Sequence, residues 1–81
     1  MVKIEVLGPG CDNCKRLEQN AREAAAMAGV EAEFVKVADD REIAARGVLR
    51  TPGLVIDGRV VSVGRVPSPG DIAEMLASPR A

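Results

Sequence analysis

Gly8-Pro9-Gly10-Cys11-Asp12-Asn13-Cys14 is the stretch on which the reading of this chain turns. It holds both cysteines, with two residues between them. Ahead of it runs Val2-Lys3-Ile4-Glu5-Val6-Leu7, a strand pattern with Val2, Ile4 and Val6 on one face. Behind it, Lys15 to Ala28 is rich in helix formers and free of proline and glycine. A strand that delivers a thiol pair to the first turn of a helix suits redox chemistry or metal capture. A glycine-rich loop before a helix can also cradle phosphate, but the Gly-Lys-Ser/Thr sequel is absent.

The helix is predicted over Asp12 to Ala28, with Gly29 as its stop. Cys14, Leu17, Ala21, Ala24 and Ala28 form an apolar row at steps of three and four, whereas Cys11, Lys15, Glu18 and Arg22 form a charged one. A regular helix therefore turns Cys14 toward the core and leaves Cys11 at the exposed end. Strand alternation puts Glu5 on the face opposite Val2, Ile4 and Val6. There it is expected as an exposed or paired carboxylate, in preference to a buried proton carrier for Cys14.

Further on, Val30 to Val37 reads as an edge strand and Asp39 to Arg46 as a short helix, with Asp39 as N-cap and Glu42 three residues on. Val48 to Pro52 connects to a strand Gly53 to Ile56, and Asp57-Gly58 signals a two-residue hairpin turn into Arg59 to Val63. Ser68-Pro69-Gly70-Asp71 starts a last helix, which Ser78-Pro79 is expected to end. The order β-α-β-α-β-β-α gives an α/β fold: a four-stranded mixed sheet in the order 2-1-3-4, its first two strands parallel, with helices on both faces.

The 81 residues are expected to form a single domain, 1–81, with a core almost wholly aliphatic, since Phe34 is the only aromatic residue. The net charge of −1 and the mixing of acidic and basic residues argue against nucleic-acid or membrane-surface binding. No apolar run approaches the roughly 18 residues of a membrane span, and no signal-peptide pattern opens the chain. The chain therefore reads as cytoplasmic, where paired thiols are more often catalytic or metal-binding than structural.

Cys-x-x-Cys after the first strand and Thr51-Pro52 before the third resemble the thioredoxin and glutaredoxin superfamily. Lys3 to Cys14 and Thr51-Pro52-Gly53-Leu54-Val55-Ile56-Asp57-Gly58 are similar to the corresponding stretches of its very small, redox-active disulfide members. The resemblance implies a thioredoxin-like fold and a thiol-disulfide oxidoreductase without cofactor or metal. It implies a cis Thr51-Pro52 bond beside the thiols, with Thr51 offering backbone hydrogen bonds to an extended substrate. It also implies disulfide-bearing protein or small-molecule substrates, a thiol or flavoprotein reductase as electron donor, and a monomer. Gly10 stands where thioredoxins usually carry Trp, and Asp12-Asn13 matches neither the thioredoxin nor the glutaredoxin pair.

Within this frame Cys11 is the expected attacking thiol and Cys14 the resolving one. The helix N-terminus favours a thiolate at Cys11, Lys15 and Arg16 add to that, and Asp12 opposes it. The rival reading is a carrier of Cu(I) or another soft metal, because two thiolates suit such an ion. Carriers with this motif typically show a Met two residues before the first cysteine, where this chain has Pro9, and end in a strand.

Overall fold

The computed structural model describes residues 1–77 and shows the order β1 (Val2–Leu7), α1 (Asp12–Ala28), β2 (Ala32–Val37), α2 (Asp40–Ala45), β3 (Gly53–Ile56), β4 (Arg59–Val63) and α3 (Pro69–Ala77). The expected stop at Ser78-Pro79 lies outside the described residues.

The sheet runs β2-β1-β3-β4, with β1 parallel to β2 and antiparallel to β3, and β3 antiparallel to β4. Two strands flank β1 and helices cover both its faces, so every residue from Ile4 to Leu7 is buried. Alternation sorts them into two layers. Ile4 and Val6 join Leu17, Ala21, Ala24 and Ala25 of α1, Leu54, and Ile72 and Leu76 of α3. On the other face Leu7 packs with Val37, Ile43 of α2, Val48 and Val55. Helices therefore lie on both faces, α1 and α3 on one and α2 on the other. The alanine stripe brings α1 close to its neighbours, and burying Leu17 contributes about 2 kcal/mol.

Local chemistry explains where the elements stop. Gly29 ends α1 in the left-handed region at φ 68°, and the Val30 N–H turns back to the Ala25 carbonyl at 3.1 Å. Val30 thus belongs to the helix cap, and β2 begins at Ala32 instead of the expected Val30. Asp39 Oδ1 accepts from the N–H groups of Arg41 and Glu42, at 2.8 and 3.2 Å, and so starts α2. Asp57 and Gly58 both take positive φ, 51° and 82°, as a tight hairpin turn requires. Ser68 Oγ accepts from the Asp71 N–H at 3.1 Å and caps α3, while Asn20 of α1 donates to the Pro67 carbonyl at 3.0 Å.

One register places the chemistry. Leu7, at the end of β1, pairs with Gly53, at the start of β3. The loop into the cysteines and the Thr51-Pro52 segment therefore leave the sheet at the same end, side by side.

Candidate active site

Beyond Leu7 the chain is held to β2 by one more hydrogen bond, from the Gly8 N–H to the Val37 carbonyl at 2.9 Å. Pro9 and Gly10 then turn it into α1. Cys11 is the N-cap, with extended φ −70° and ψ 170°, and its carbonyl accepts from the Lys15 N–H at 3.0 Å. Its side chain performs the capping that Ser or Asp usually performs: Cys11 Sγ accepts from the Cys14 N–H at 3.2 Å. The first-turn N–H groups of a helix have no intrahelical partners, so a sulfur in this place receives donors and the positive end of the helix dipole.

Cys11 and Cys14 are joined as a disulfide, with their Cα atoms 5.0 Å apart. The two sulfurs differ in access. Cys11 is exposed, whereas Cys14 is buried, with 4% of its surface accessible. A shallow depression of about 120 Å³ beside Cys14 is lined by Gly8, Pro9, Gly10, Lys15, Glu18 and Lys36, among others.

The Thr51–Pro52 peptide bond is cis, with Thr51 exposed and Pro52 buried. The Pro52 carbonyl accepts from the Gly64 N–H at 2.8 Å, which ties the segment to the end of β4. A side-chain carbon placed at Gly8 would touch Thr51 Cβ at 3.7 Å and fall on Cys14 Sγ. Gly8 is therefore the point where the Thr51 loop and the buried sulfur meet. The stem of Arg50 lies over Gly64, where an added carbon would meet Arg50 Cβ at 3.2 Å.

Two carboxylates flank this region. Glu18 of α1 bonds Arg22 at 3.0 Å and Lys36 of β2 at 3.4 Å. Burial works to raise its pKa, but hydrogen bonds to both cations and their charges together outweigh it and hold Glu18 below the usual carboxylate range. Glu5 is buried, with Oε1 2.6 Å from Arg46 Nε, and Arg46 Nη1 also donates to the Glu42 carbonyl at 3.0 Å. Alternation assigned Glu5 to the correct face and pairing is observed, but α2 covers that face, so the carboxylate is not exposed.

The pattern-based reading also missed Arg46, whose place at the C-terminal end of a short helix carries no signal of a partner 41 residues away. It read Gly8 as part of the glycine-rich loop and not as a neighbour of the Cys14 sulfur. Among the described residues, no three His, Cys, Asp or Glu side chains gather into one cluster. The last described element is a helix, and β4 pairs with β3. That topology departs from the carrier reading, which expects a final strand. A larger groove of about 1030 Å³ lies between β4 and α3, away from the cysteines.

Comparison with known proteins agrees with this geometry. A family model described as a thioredoxin domain matches residues 2–77. A thioredoxin of Methanothermobacter thermautotrophicus is 43% identical over 77 residues, covering 95% of this chain and 100% of that protein. A thioredoxin of Methanocaldococcus jannaschii is 41% identical over 78 residues, covering 96% of this chain and 90% of that one. The solved structure of NaGST1, in an orthorhombic form, superposes with a TM-score of 0.50 at 22% identity. It covers 98% of this chain but only 36% of its own, and so speaks to fold alone. The chain belongs to the thioredoxin family, and its chemistry is thiol-disulfide exchange.

Proposed function

We propose that the protein reduces disulfides in two steps, with Cys11 attacking and Cys14 resolving. The observation that carries this is the unequal setting of the two sulfurs. Cys11 is an exposed residue whose sulfur already accepts a helix N–H, while Cys14 is buried. Exposure admits a substrate sulfur. The N–H donor and the helix dipole stabilise the Cys11 thiolate, whereas burial disfavours a charge at Cys14.

In the first step the Cys11 thiolate attacks one sulfur of the substrate disulfide. A mixed disulfide forms, and the other substrate sulfur leaves as a thiolate that takes a proton from water. In the second step Cys14 loses its proton and attacks Cys11 Sγ. The remaining substrate sulfur departs, and the Cys11–Cys14 disulfide forms. A reductase then returns two electrons and two protons.

Thr51 presents its backbone beside the pair, and an extended substrate segment bonds there. Pro52 does not compete for that segment, because it is buried and its carbonyl is taken by Gly64. The donor is a low-molecular-weight thiol or a flavoprotein reductase, and the protein acts as a monomer in the cytoplasm.

The test uses the two serine variants with a disulfide-bonded test protein. Cys14→Ser is expected to trap the substrate as a mixed disulfide, stable until an external thiol is added. Cys11→Ser is expected to form little adduct and to lose reductase activity. In the reduced wild type, iodoacetamide is expected to alkylate Cys11 first. Faster alkylation of Cys14, or equal trapping by Cys11→Ser, overturns the assignment.

A further inference from the structure

We propose that Gly8 sets the balance between the disulfide and dithiol states, because only a residue without a side chain leaves room for the Cys14 sulfur where the disulfide needs it. Gly8 is a positioning residue for the exchange reaction. The proposal rests on the exchange reading only in that the pair cycles between the two states.

A carbon added at Gly8 comes far inside the van der Waals contact distance to Cys14 Sγ and lies 3.3 Å from Cys14 Cβ. Real side-chain carbons do not come that close to sulfur, so something must move. Three of the groups around the added carbon are held. The Gly8 backbone is anchored by its N–H to the Val37 carbonyl at 2.9 Å and by the β1 strand before it. Cys14 sits in the first turn of α1, its N–H bound to Cys11 Sγ and its helix packed through Leu17 into the core. In the oxidised state Cys14 Sγ is also fixed by its bond to Cys11.

Reduction removes only the last of these restraints. The Cys14 side chain is then free to rotate about Cα–Cβ into another staggered well, which swings the sulfur away from residue 8. The contact with Cys14 Cβ is common to both states and cancels between them. A methyl group at position 8 therefore penalises the disulfide more than the dithiol.

Backbone conformation does not explain this glycine. Gly8 does not adopt a positive φ, so alanine there meets no backbone strain. Gly58 is the converse case: its φ is +82° and an added carbon meets nothing within 4 Å. Gly58→Ala is therefore the control for general destabilisation remote from the thiols.

The experiment equilibrates the purified full chain with glutathione buffers. Two glutathione thiols reduce the Cys11–Cys14 bond, giving the dithiol and one oxidised glutathione, and the protein fractions give the equilibrium constant. Gly8→Ala is expected to favour the dithiol about tenfold over wild type, about 30 mV for this two-electron couple. It is also expected to lower the Tm of the oxidised form more than that of the reduced form. Gly58→Ala is expected to lower both Tm values alike and to leave the equilibrium constant within twofold.

A Gly8→Ala constant less than threefold from wild type, or equal Tm losses in both redox states, overturns the proposal. Should Gly8→Ala fail to fold, the same change is made in a Cys14→Ala background. Folding recovered there supports the sulfur contact, and folding lost there as well overturns it. These readouts need no substrate turnover. An exchange role that fails the serine-variant test is thus distinguishable from a Gly8 role that fails here.

Discussion

Glu5 is a carboxylate in a strand whose other buried residues are aliphatic, and Arg46 accounts for its survival there. The guanidinium gives a charge-assisted bond at 2.6 Å and keeps one edge in water, with 31% of its side chain accessible against 7% for Glu5. Arg46→Ala strands the carboxylate in the layer of Leu7 and Val55. The expected cost is about 2 kcal/mol, below the figure for a wholly buried pair because water can enter where Arg46 stood. A thermal melt at pH 7 checks it, with Tm expected to fall by about 10 °C. The double variant Glu5→Leu, Arg46→Met is expected to recover most of that loss, since removing both charges leaves none unpaired. The periodicity of β1 put Glu5 on the right face. It could not reveal what covers that face, because the cover comes from a helix some forty residues on whose own apolar signal is little more than Ile43.

At the scale of elements, α1 is tied to the edge strand β2 from its polar side. Glu18 reaches Lys36, and Arg22 stacks its guanidinium 4.4 Å above the Phe34 ring. The cations hold the folded-state pKa of Glu18 below its unfolded value of 4.5. Its contribution is therefore fully present above about pH 4.5 and is lost as pH falls through the lower, folded value. Glu18→Gln is expected to lower stability at pH 7 by less than 1 kcal/mol, because both cations are largely exposed. Denaturant melts at pH 7 and pH 3 check this, and the difference between variant and wild type should shrink at the lower pH. The caps of these elements were legible in the sequence. Asp39 and Ser68 start α2 and α3 where residue chemistry says they should. The start of β2 was not legible, because the cap of α1 consumes the Val30 N–H and a strand pattern does not register that competition.

For the whole molecule, strand order and helix placement followed from the sequence because the connections left little choice. A helix joins β1 to β2, and a two-residue turn joins β3 to β4. The resemblance implied Thr51-Pro52 beside the thiols, but the place of Gly8 between Thr51 and Cys14 was not legible. It depends on the register of Leu7 with Gly53, which brings together positions some forty residues apart.

The sheet also divides the interior into layers of unequal depth. Among the described residues, the apolar layer that includes α1 and α3 holds nine buried hydrophobic residues, and the layer that includes α2 holds five. Since α2 is only six residues long and buries Ile43 alone, it is held by one apolar side chain, one cap and the Arg46 bridge. Such a lightly held element is expected to open as a unit of its own while the rest stays closed. Hydrogen exchange is expected to show the amides of α2 exchanging well before those of α1 and β1. Arg46→Ala is expected to speed exchange in α2 and to leave the Cys14 and Leu17 amides protected. The thin layer is thus the side expected to breathe, and the thick layer, which carries the thiols, is expected to keep its shape while the other flank opens and closes.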